Sequence, residues 1–308
     1  MQKNKRQNRI AKMMVIIGII LVFPISVYAL GDIHLYAFPG AWSQDIPTTW
    51  ITNVQLRYFE YDEVWDSKGH SQDSAEVEGF QSITKVGHSQ RLSDQWQLTN
   101  VLIVPVANVS VDEADLSASG MGDPITTNYI GWHNKANNLH LAGGFSLSFP
   151  IGDYDTNDAL NIGENRWKFY FPFLMAHYRM PLFNGLMMFD FGFNCEWRFE
   201  NDDTDWDDHD VSEVNLIATY WLNRKTMKLG FFVQPDYQFA LNESENDGVG
   251  QDDDDFYTFG GAIGIVYAAK PNSIFYLKYS KEFDGKGLNN GGFAPEVDAI
   301  HFQWAYVF

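Results

Sequence analysis

The sequence contains a single cysteine, Cys195, in 308 residues. One thiol cannot form an internal disulfide, so stability in an oxidising compartment has to come from noncovalent structure. Basic residues are also scarce: 21 lysine and arginine side chains stand against 40 aspartate and glutamate side chains, for a formal net charge of −19. This balance disfavours nucleic acid and other polyanionic partners and suits cations or the solubility of exposed loops.

Long apolar runs are missing as well. The stretch over residues 13–23 is well short of the roughly 20 residues that a membrane-spanning helix needs. It follows five basic residues and precedes the small Ala29, so residues 1–29 predict a cleaved secretory signal. No cysteine directly follows that site, which disfavours a lipid-anchored lipoprotein. Removing residues 1–29 takes away five basic and no acidic side chains, which changes the net charge from −19 to −24.

What the sequence does contain is strand-like alternation, most clearly in residues 300–308. Apolar or aromatic side chains alternate there with smaller or more polar ones, and the segment ends on Phe308. Successive strand residues point to opposite faces, so one face is apolar and the other carries His301 and Gln303. With no helical span after the signal, only a closed sheet could satisfy its backbone groups in hydrocarbon. The pattern is that of the closing strand of an outer-membrane β-barrel.

From residue 47 onward, about twelve segments with period-two patterning alternate with short and long connections. Five short turns and six long loops are what a twelve-stranded up-and-down barrel with periplasmic termini requires. We therefore predict an all-β fold, a transmembrane antiparallel up-and-down β-barrel over residues 49–308. Residues 30–48 show no sustained alternation and are expected to be an irregular segment, either periplasmic or a plug in the lumen. The predicted strands begin at Trp50, Phe80, Gln95, Ile125, Leu139, Arg166, Leu186, Val214, Met227, Phe256, Ser273 and Val297.

The six long connections are expected to be loops on the outer side of the membrane. They are predicted at residues 62–78, 111–123, 152–165, 201–210, 242–255 and 285–292.

Residues 189–200 show which face of the sheet meets lipid. Odd positions are aromatic or Cys195, whereas even positions are polar, charged or glycine. Charged side chains are costly in lipid, so the even positions must face the interior. Other strands repeat this pattern, and opposite charges inside could either plug the barrel or line a path for a solute. The side chains predicted to line the lumen and solute path are Lys168, Asp190, Asn194, Glu196, Arg198, Gln234, Asp236, Lys278, His301 and Gln303.

Aromatic side chains are expected mainly on the lipid face. In residues 167–173 the odd positions, including Phe173, are predicted to point outward, with Lys168 and Tyr170 inward. Rings also concentrate near strand ends, as in the girdles of membrane barrels at the two headgroup levels. The predicted girdle residues are Trp96, Tyr178, Trp221, Tyr267, Tyr306 and Phe308 at the inner edge, and Trp167, Phe199 and Tyr257 at the outer edge.

Several motifs resemble one family. They are the GMGDP of residues 120–124, the FPIGDYD of residues 149–155 and the LNIGENRWKF of residues 160–169, with weaker similarity at residues 38–40 and 61–69. Together they resemble the meta-pathway phenol degradation family of outer-membrane proteins. The resemblance implies a barrel thought to import aromatic or other small compounds, and it brings no catalytic residues.

Residues 150–167 are rich in glycine, aspartate and asparagine, which favour turns and unusual backbone angles. Two structures fit this composition equally well. The loop could fold inward and constrict the pore, or it could be a capped surface loop on the barrel rim. The residues of the possible constriction loop are Asp153, Asp155, Asn161 and Asn165.

Acidic runs at residues 202–210 and 252–255 raise the question of a metal site, because clustered carboxylates suit hard divalent cations. Counted from Asp203, the run lacks the glycine and final glutamate of an EF-hand loop. We therefore predict no metal site and interpret these runs as solvated loops or loose cation bridges to lipopolysaccharide. A hydrolase would need a positioned nucleophile or base. The best candidate is His209, which has acidic neighbours and could be joined by Asp112 and Asp115 from another loop. It is a weak candidate.

The resulting expectation is a bacterial outer-membrane channel or transporter for small, aromatic or hydrophobic compounds linked to catabolism. We expect no cofactor and no catalytic residues. The expected partners are outer-membrane lipid and lipopolysaccharide, a small-molecule solute and, during biogenesis, the barrel-assembly machinery. The alternatives are a non-transporting structural or adhesin-like barrel and an outer-membrane hydrolase.

Overall fold

A computed structural model of the chain describes residues 25–26, 46–201, 203–204, 206–246, 249–250, 255–287 and 294–308. The predicted signal segment, 1–29, and the irregular segment, 30–48, lie almost entirely outside the described residues. In the described part of the chain, no helix is both long enough and apolar enough to cross a membrane.

Twelve antiparallel strands form one closed sheet. Each strand pairs with its neighbours in sequence, and the last strand closes the barrel against the first, with Gln303 opposite Gln55. This is the predicted up-and-down barrel. The strands are β1 (Thr49–Trp65), β2 (Ser71–Arg91), β3 (Trp96–Val111), β4 (Ile125–Asn134), β5 (Leu139–Ser148), β6 (Lys168–Leu182), β7 (Gly185–Arg198), β8 (Val211–Trp221), β9 (Leu229–Ala240), β10 (Tyr257–Lys270), β11 (Ser273–Lys286) and β12 (Asp298–Val307).

Short elements connect or extend the twelve strands. A 3₁₀ turn, Asp112–Ala114, leads into the strand Leu116–Met121, which pairs with the upper part of β3. A second 3₁₀ turn, Lys135–Asn137, forms the inner connection between β4 and β5. The remaining two-residue strands are Ile25–Ser26, Leu160–Asn161, Trp206–Asp207, Glu245–Asn246, Val249–Gly250 and Ala294–Pro295.

Two predicted long loops are wrong because β1, β2 and β3 continue beyond the membrane. Residues 62–78 form a tight turn between long strands, and β2 begins at Ser71, well before the predicted Phe80. The Asp66 carboxylate holds this turn by accepting hydrogen bonds from the backbone N–H groups of Lys68 (2.8 Å) and His70 (2.9 Å). Residues 111–123 likewise form a hairpin. Since about 9–11 residues suffice to span a membrane, a strand of 21 residues must protrude.

The two faces of the sheet are divided as predicted. Phe191, Trp197 and Phe231 are 42–49% exposed and form part of a lipid-facing apolar band. At the alternate positions of the same strands, Asp190 and Gln234 are at most 8% exposed and point inward. This division fixes the strand register, because a slip of one residue would move the charges into lipid.

Two aromatic side chains predicted to face outward instead point inward. Phe173 is fully buried because β6 carries a β-bulge: three steps from Tyr170 to Phe173 oppose only two steps on both neighbouring strands. The extra residue reverses the alternation. Trp221, predicted in the inner girdle, is 4% exposed, and its indole N–H points to the sulfur of Met188 at 2.9 Å.

The interior is therefore apolar in places. Three clusters of buried side chains lie on the inner wall, and the one at the outer end of the barrel is called the outer cluster. The outer cluster comprises Phe59, Ala75, Val77, Ala107, Val109, Val111, Leu160, Ile162, Val297 and Ala299; the β2–β6 cluster comprises Ile83, Ile103, Ile125, Tyr129, Ala142, Tyr170, Phe173 and Met175; and the β7–β11 cluster comprises Met188, Ile217, Trp221, Phe232, Val266 and Tyr276.

Candidate functional site

The loop between β5 and β6, residues 149–167, folds into the outer end of the barrel. Its Leu160 and Ile162 are 5% and 3% exposed and belong to the outer cluster. That cluster includes Phe59 on β1 and Ala299 on β12, which face the interior from strands remote from β5 and β6. The loop therefore reaches across the mouth. We refer to residues 149–167 as the constriction loop.

Asp123 ties the two ends of this loop together. Its carboxylate accepts hydrogen bonds from the backbone N–H of Gly152 (2.8 Å) and of Glu164 (2.9 Å). Burial raises the pKa of Asp123 despite these bonds. A Cβ at Gly163 would lie 2.9 Å from the carbonyl carbon of Gly152, so the two loop ends can approach this closely only because residue 163 is glycine. The base of the loop is thus fixed by the segment that precedes β4.

The four residues predicted for the constriction hold the loop in shape. The Asp153 carboxylate accepts from the backbone N–H of Met121 at 2.6 Å. The side chain of Asn161 accepts from the N–H of Asp155 at 2.8 Å. Asn165 donates to Asp203, in the next loop, at 2.7 Å. Their hydrogen bonds are therefore made within the loop or to its neighbours.

Beneath the loop, a network of ion pairs covers the inner wall of β6 and β7. Lys168 contacts Glu164 and lies 3.3 Å from Glu196. Arg198 donates from Nε to the same Glu196 carboxylate at 2.7 Å. The structure thus brings together three of the predicted lumen residues, Lys168, Glu196 and Arg198, with side chains at most 6% exposed.

Asp208 connects this network to the next loop. One of its oxygens lies 3.3 Å from Arg198 and 3.7 Å from Arg166, and the other lies 3.1 Å from Nδ1 of His209. Burial opposes ionisation of Asp208, but His209 and the two guanidinium groups outweigh it and hold its pKa well below the usual value. We call Glu164, Arg166, Lys168, Glu196, Arg198, Asp208 and His209 the ionic cluster.

The interpretation of residues 202–210 as solvated loop is wrong for its last three residues. Asp208, His209 and Asp210 are 2–8% exposed. Asp210 accepts from the backbone N–H of Arg198 at 2.7 Å, and the His209 ring packs on Phe256. Among the described residues, no group of three or more histidine, cysteine or acidic side chains is arranged to hold a metal ion. Residues 251–254, in the second acidic run, lie outside the described residues.

A row of histidines crosses the inner wall nearer the periplasm. His133, His140, His177 and Asp190 lie directly opposite one another on β4 to β7. His177 Nδ1 is 2.6 Å from Asp190, and the Nδ1 atoms of His133 and His140 are 2.6 Å apart. Arg179, which can only donate, lies 3.2 Å from Nε2 of His140, so the His140 proton belongs on Nδ1.

On the other side of the barrel, β9 to β12 carry the remaining predicted lumen residues. Lys278 donates to Gln234 at 3.2 Å, and His301 lies 2.8 Å from the hydroxyl of Ser280. Gln303 is 2% exposed. All ten predicted lumen residues point inward, but the structure does not bring them together at one place. Asn194 lies near Glu213, and Asp236 lies opposite Asn215.

Some interior residues were missed by the sequence analysis. His133 and His140 are equally spaced about the 135–138 turn, and this symmetry alone predicts that they pair across the hairpin. Gln55 and Gln81 lie at inward positions of β1 and β2 and are fully buried. The sequence alternates at these positions, but strands rich in small polar residues have two faces of similar polarity. The inward face of β1 and β2 therefore cannot be identified from the alternation.

The chain matches the family described as "Putative MetA-pathway of phenol degradation" over residues 54–294. In structure it is similar to the COG4313 outer membrane channel from Pseudomonas putida F1, at 22% identity and a TM-score of 0.76, over 88% of this chain and 100% of that chain. The β domain of the Bordetella autotransporter BrkA shares 10% identity at a TM-score of 0.50, over 83% and 99% of the respective chains. No curated protein matches the sequence. The family match covers most of the chain, and the chain therefore belongs to this family of outer-membrane β-barrels.

Proposed function

We propose that the barrel is an outer-membrane channel that takes up small compounds with an apolar or aromatic part. Family membership and the fold support this proposal, and the similar protein from Pseudomonas putida is described as an outer membrane channel. The proposal gives the chain no catalytic residue and no cofactor. It also includes removal of residues 1–29 as a secretory signal, barrel-assembly machinery during biogenesis and lipopolysaccharide at the outer leaflet.

The observation that carries the proposal is the mixed inner wall. Polar side chains such as Gln55, Gln303 and Lys278 face the interior beside buried rings such as Tyr276 and Phe232. A wide pore for hydrophilic solutes would present a polar wall throughout. Ligand sites for compounds with an apolar body are lined mostly by apolar side chains with a few placed polar groups. The wall of this barrel has that composition.

The constriction loop determines which solutes could enter from outside. Leu160 and Ile162 place an apolar surface at the mouth, and Asp123 fixes both loop ends. A solute passing this point would exchange water for apolar side chains before it meets polar side chains such as Gln55, Gln303 and Lys278. In this scheme the ionic cluster holds the loop in place, and the inward residues of β9 to β12 line the path.

Permeation by the purified, reconstituted barrel tests the proposal. Planar-bilayer recordings in potassium chloride should show discrete conductance steps, and liposome swelling should show entry only of the smallest hydrophilic solutes because the path is narrow. Protein that inserts as a folded barrel but carries neither ionic current nor solute would contradict the channel. That result would instead favour a structural or adhesin-like barrel.

A further inference from the structure

Three glutamines form a group of amides on the inner wall of β12, β1 and β2. Gln303 lies directly opposite Gln55 in the register. Gln81 lies on the diagonal from Gln55, because the residue opposite Gln55 is Ile83, two positions further along β2. Long side chains that face each other or lie on the diagonal of adjacent strands are within reach of one another. We call Gln55, Gln81 and Gln303 the amide patch.

The amides of this patch are buried without hydrogen-bond partners. All three residues are at most 2% exposed. Both amide atoms of Gln55 and Gln81, and Oε1 of Gln303, have no partner among the described residues. An unpaired buried polar group is costly, and native proteins pair nearly all of them. Such groups mark positions where a bound molecule would supply the missing hydrogen bonds.

The unpaired atoms indicate which chemical group would fit. The amides of Gln55 and Gln81 each offer N–H donors and an oxygen acceptor, and turning either amide over leaves the same set of unpaired atoms. A carboxylate only accepts hydrogen bonds and an ammonium group only donates them, so either one would leave some of these atoms unpaired. A carboxamide has donors and an acceptor in one plane and carries no charge.

Arg57, the next inward residue of β1 after Gln55, contacts an aromatic ring. Its guanidinium carbon lies 4.9 Å from the centre of the Phe59 ring, and Phe59 belongs to the outer cluster. This contact directs the guanidinium group toward the outer end of the barrel. The amide patch lies on the periplasmic side of that contact.

Apolar side chains border the amide patch. Each of its three residues lies opposite a member of a different buried cluster. These register neighbours are Tyr276 of the β7–β11 cluster, Ile83 of the β2–β6 cluster and Ala107 of the outer cluster. A few polar groups within a mostly apolar lining are typical of a site for a small molecule with an apolar body. A molecule with its polar head on the patch could thus rest its body on these side chains.

We propose that the amide patch binds the carboxamide head of a small uncharged molecule whose apolar body packs on the neighbouring clusters. This inference rests on the proposed channel function and adds the chemical class of the solute. The N–H groups of the solute donate to the amide oxygens of Gln55 and Gln81, and its oxygen accepts from their N–H groups. Gln303 offers a further acceptor oxygen. The long glutamine side chains can turn their amides onto the solute without a change in strand register.

Isothermal titration of the purified barrel in detergent tests the site separately from transport. The probe is benzamide, and two molecules of nearly the same shape serve as comparisons. Acetophenone has a methyl group in place of the amide nitrogen, so it accepts hydrogen bonds but donates none. Benzoate is an anion at the working pH of about 8. Wild-type protein should bind benzamide at least about tenfold more tightly than either comparison molecule.

Two methionine variants test whether the glutamine amides cause this preference. Gln55→Met and Gln81→Met each remove one amide and keep the length of the side chain. Each should lower the preference for benzamide over acetophenone to about twofold or less. Gln90→Met, the matched control, makes the same change at an exposed position of β2 and should bind benzamide like the wild type. Each variant is first checked for a folded barrel by its heat-dependent shift on a denaturing gel.

Four results would each overturn the site. They are equal binding of benzamide and acetophenone, benzoate binding as tight as benzamide binding, no binding of benzamide, and an unchanged preference in either folded methionine variant.

Bilayer recording separates failure of this site from failure of the channel. Potassium chloride current through a barrel with no benzamide preference would keep the channel and refute the carboxamide site. Benzamide preference without any current would keep the site and refute the channel. If both hold, benzamide should reduce the current of the wild type more than that of Gln81→Met, because the bound solute occupies the path. Equal reduction in the two proteins would overturn the place of the patch on the path.

Discussion

The inner wall of this barrel is organised differently on its two sides. On β6 and β7 and the loops above them, the cations Arg166, Lys168 and Arg198 each lie 3.7 Å or less from a carboxylate. On β12, β1 and β2, Gln55, Gln81 and Gln303 are buried, and amide atoms of all three have no hydrogen-bond partner among the described residues. Paired buried charges fix geometry, because breaking a pair leaves a charge uncompensated. Buried amides with unused donors and acceptors suit a ligand. The first side thus holds the loops, and the second faces the solute.

Breaking the ionic cluster should have the largest effect on stability. Asp208→Ala leaves Arg166 and Arg198 buried without their shared carboxylate, so we expect a loss of about 3–5 kcal/mol. Urea unfolding of the barrel in lipid vesicles measures this loss. Asp158→Ala, at an exposed loop position, is the control and should change stability by less than about 0.5 kcal/mol. Equal effects of the two variants would mean that the cluster does not hold the structure.

Releasing the base of the constriction loop should have a smaller effect, which is mostly local. Asp123→Ala removes two hydrogen bonds to a carboxylate and leaves the N–H groups of Gly152 and Glu164 without that acceptor, at a cost of about 2–3 kcal/mol. Limited proteolysis should then cut within residues 149–167 faster than in the wild type. Asp123→Asn keeps one acceptor oxygen and should give an intermediate rate. Protection identical to wild type in both variants would exclude the clamp.

Replacing an amide on the other side should hardly change stability. Gln81→Met replaces a buried amide that has no hydrogen-bond partner among the described residues with an apolar side chain of similar length, so we expect less than about 1 kcal/mol of destabilisation in the same urea experiment. A loss as large as that of Asp208→Ala would show that both sides are structural, and the contrast between them would disappear.

Acid should weaken the side with paired charges. The pKa of Asp208 is lowered in the folded barrel, so the folded state holds fewer protons than the unfolded state. Its stabilising contribution is complete above the usual aspartate pKa of about 4 and declines as pH falls below it. Unfolding midpoints measured downward from pH 6 should therefore fall more steeply in wild type than in Asp208→Asn. Parallel curves for the two proteins would contradict this role.

Sequence alternation predicted the barrel, the number of strands and the inward direction of the ten lumen residues, because each strand has one face in lipid. Phe173 was misplaced because a one-residue bulge leaves no local signal, and Trp221 because an aromatic residue at a strand end looks like a girdle residue. The inward path of Leu160 and Ile162 was one of two open alternatives. The burial of Asp208 and His209 depends on contacts between loops far apart in sequence, which no period reveals.

The most direct test of the proposed path is the single-channel conductance of a barrel that lacks residues 156–163, recorded beside the wild type. This deletion removes Leu160 and Ile162 from the mouth and leaves the hydrogen bonds of Asp123 to both loop ends in place. If solutes pass through the lumen beneath the constriction loop, conductance should rise several-fold over that of the wild type. Unchanged conductance in a correctly folded deletion variant would contradict this path.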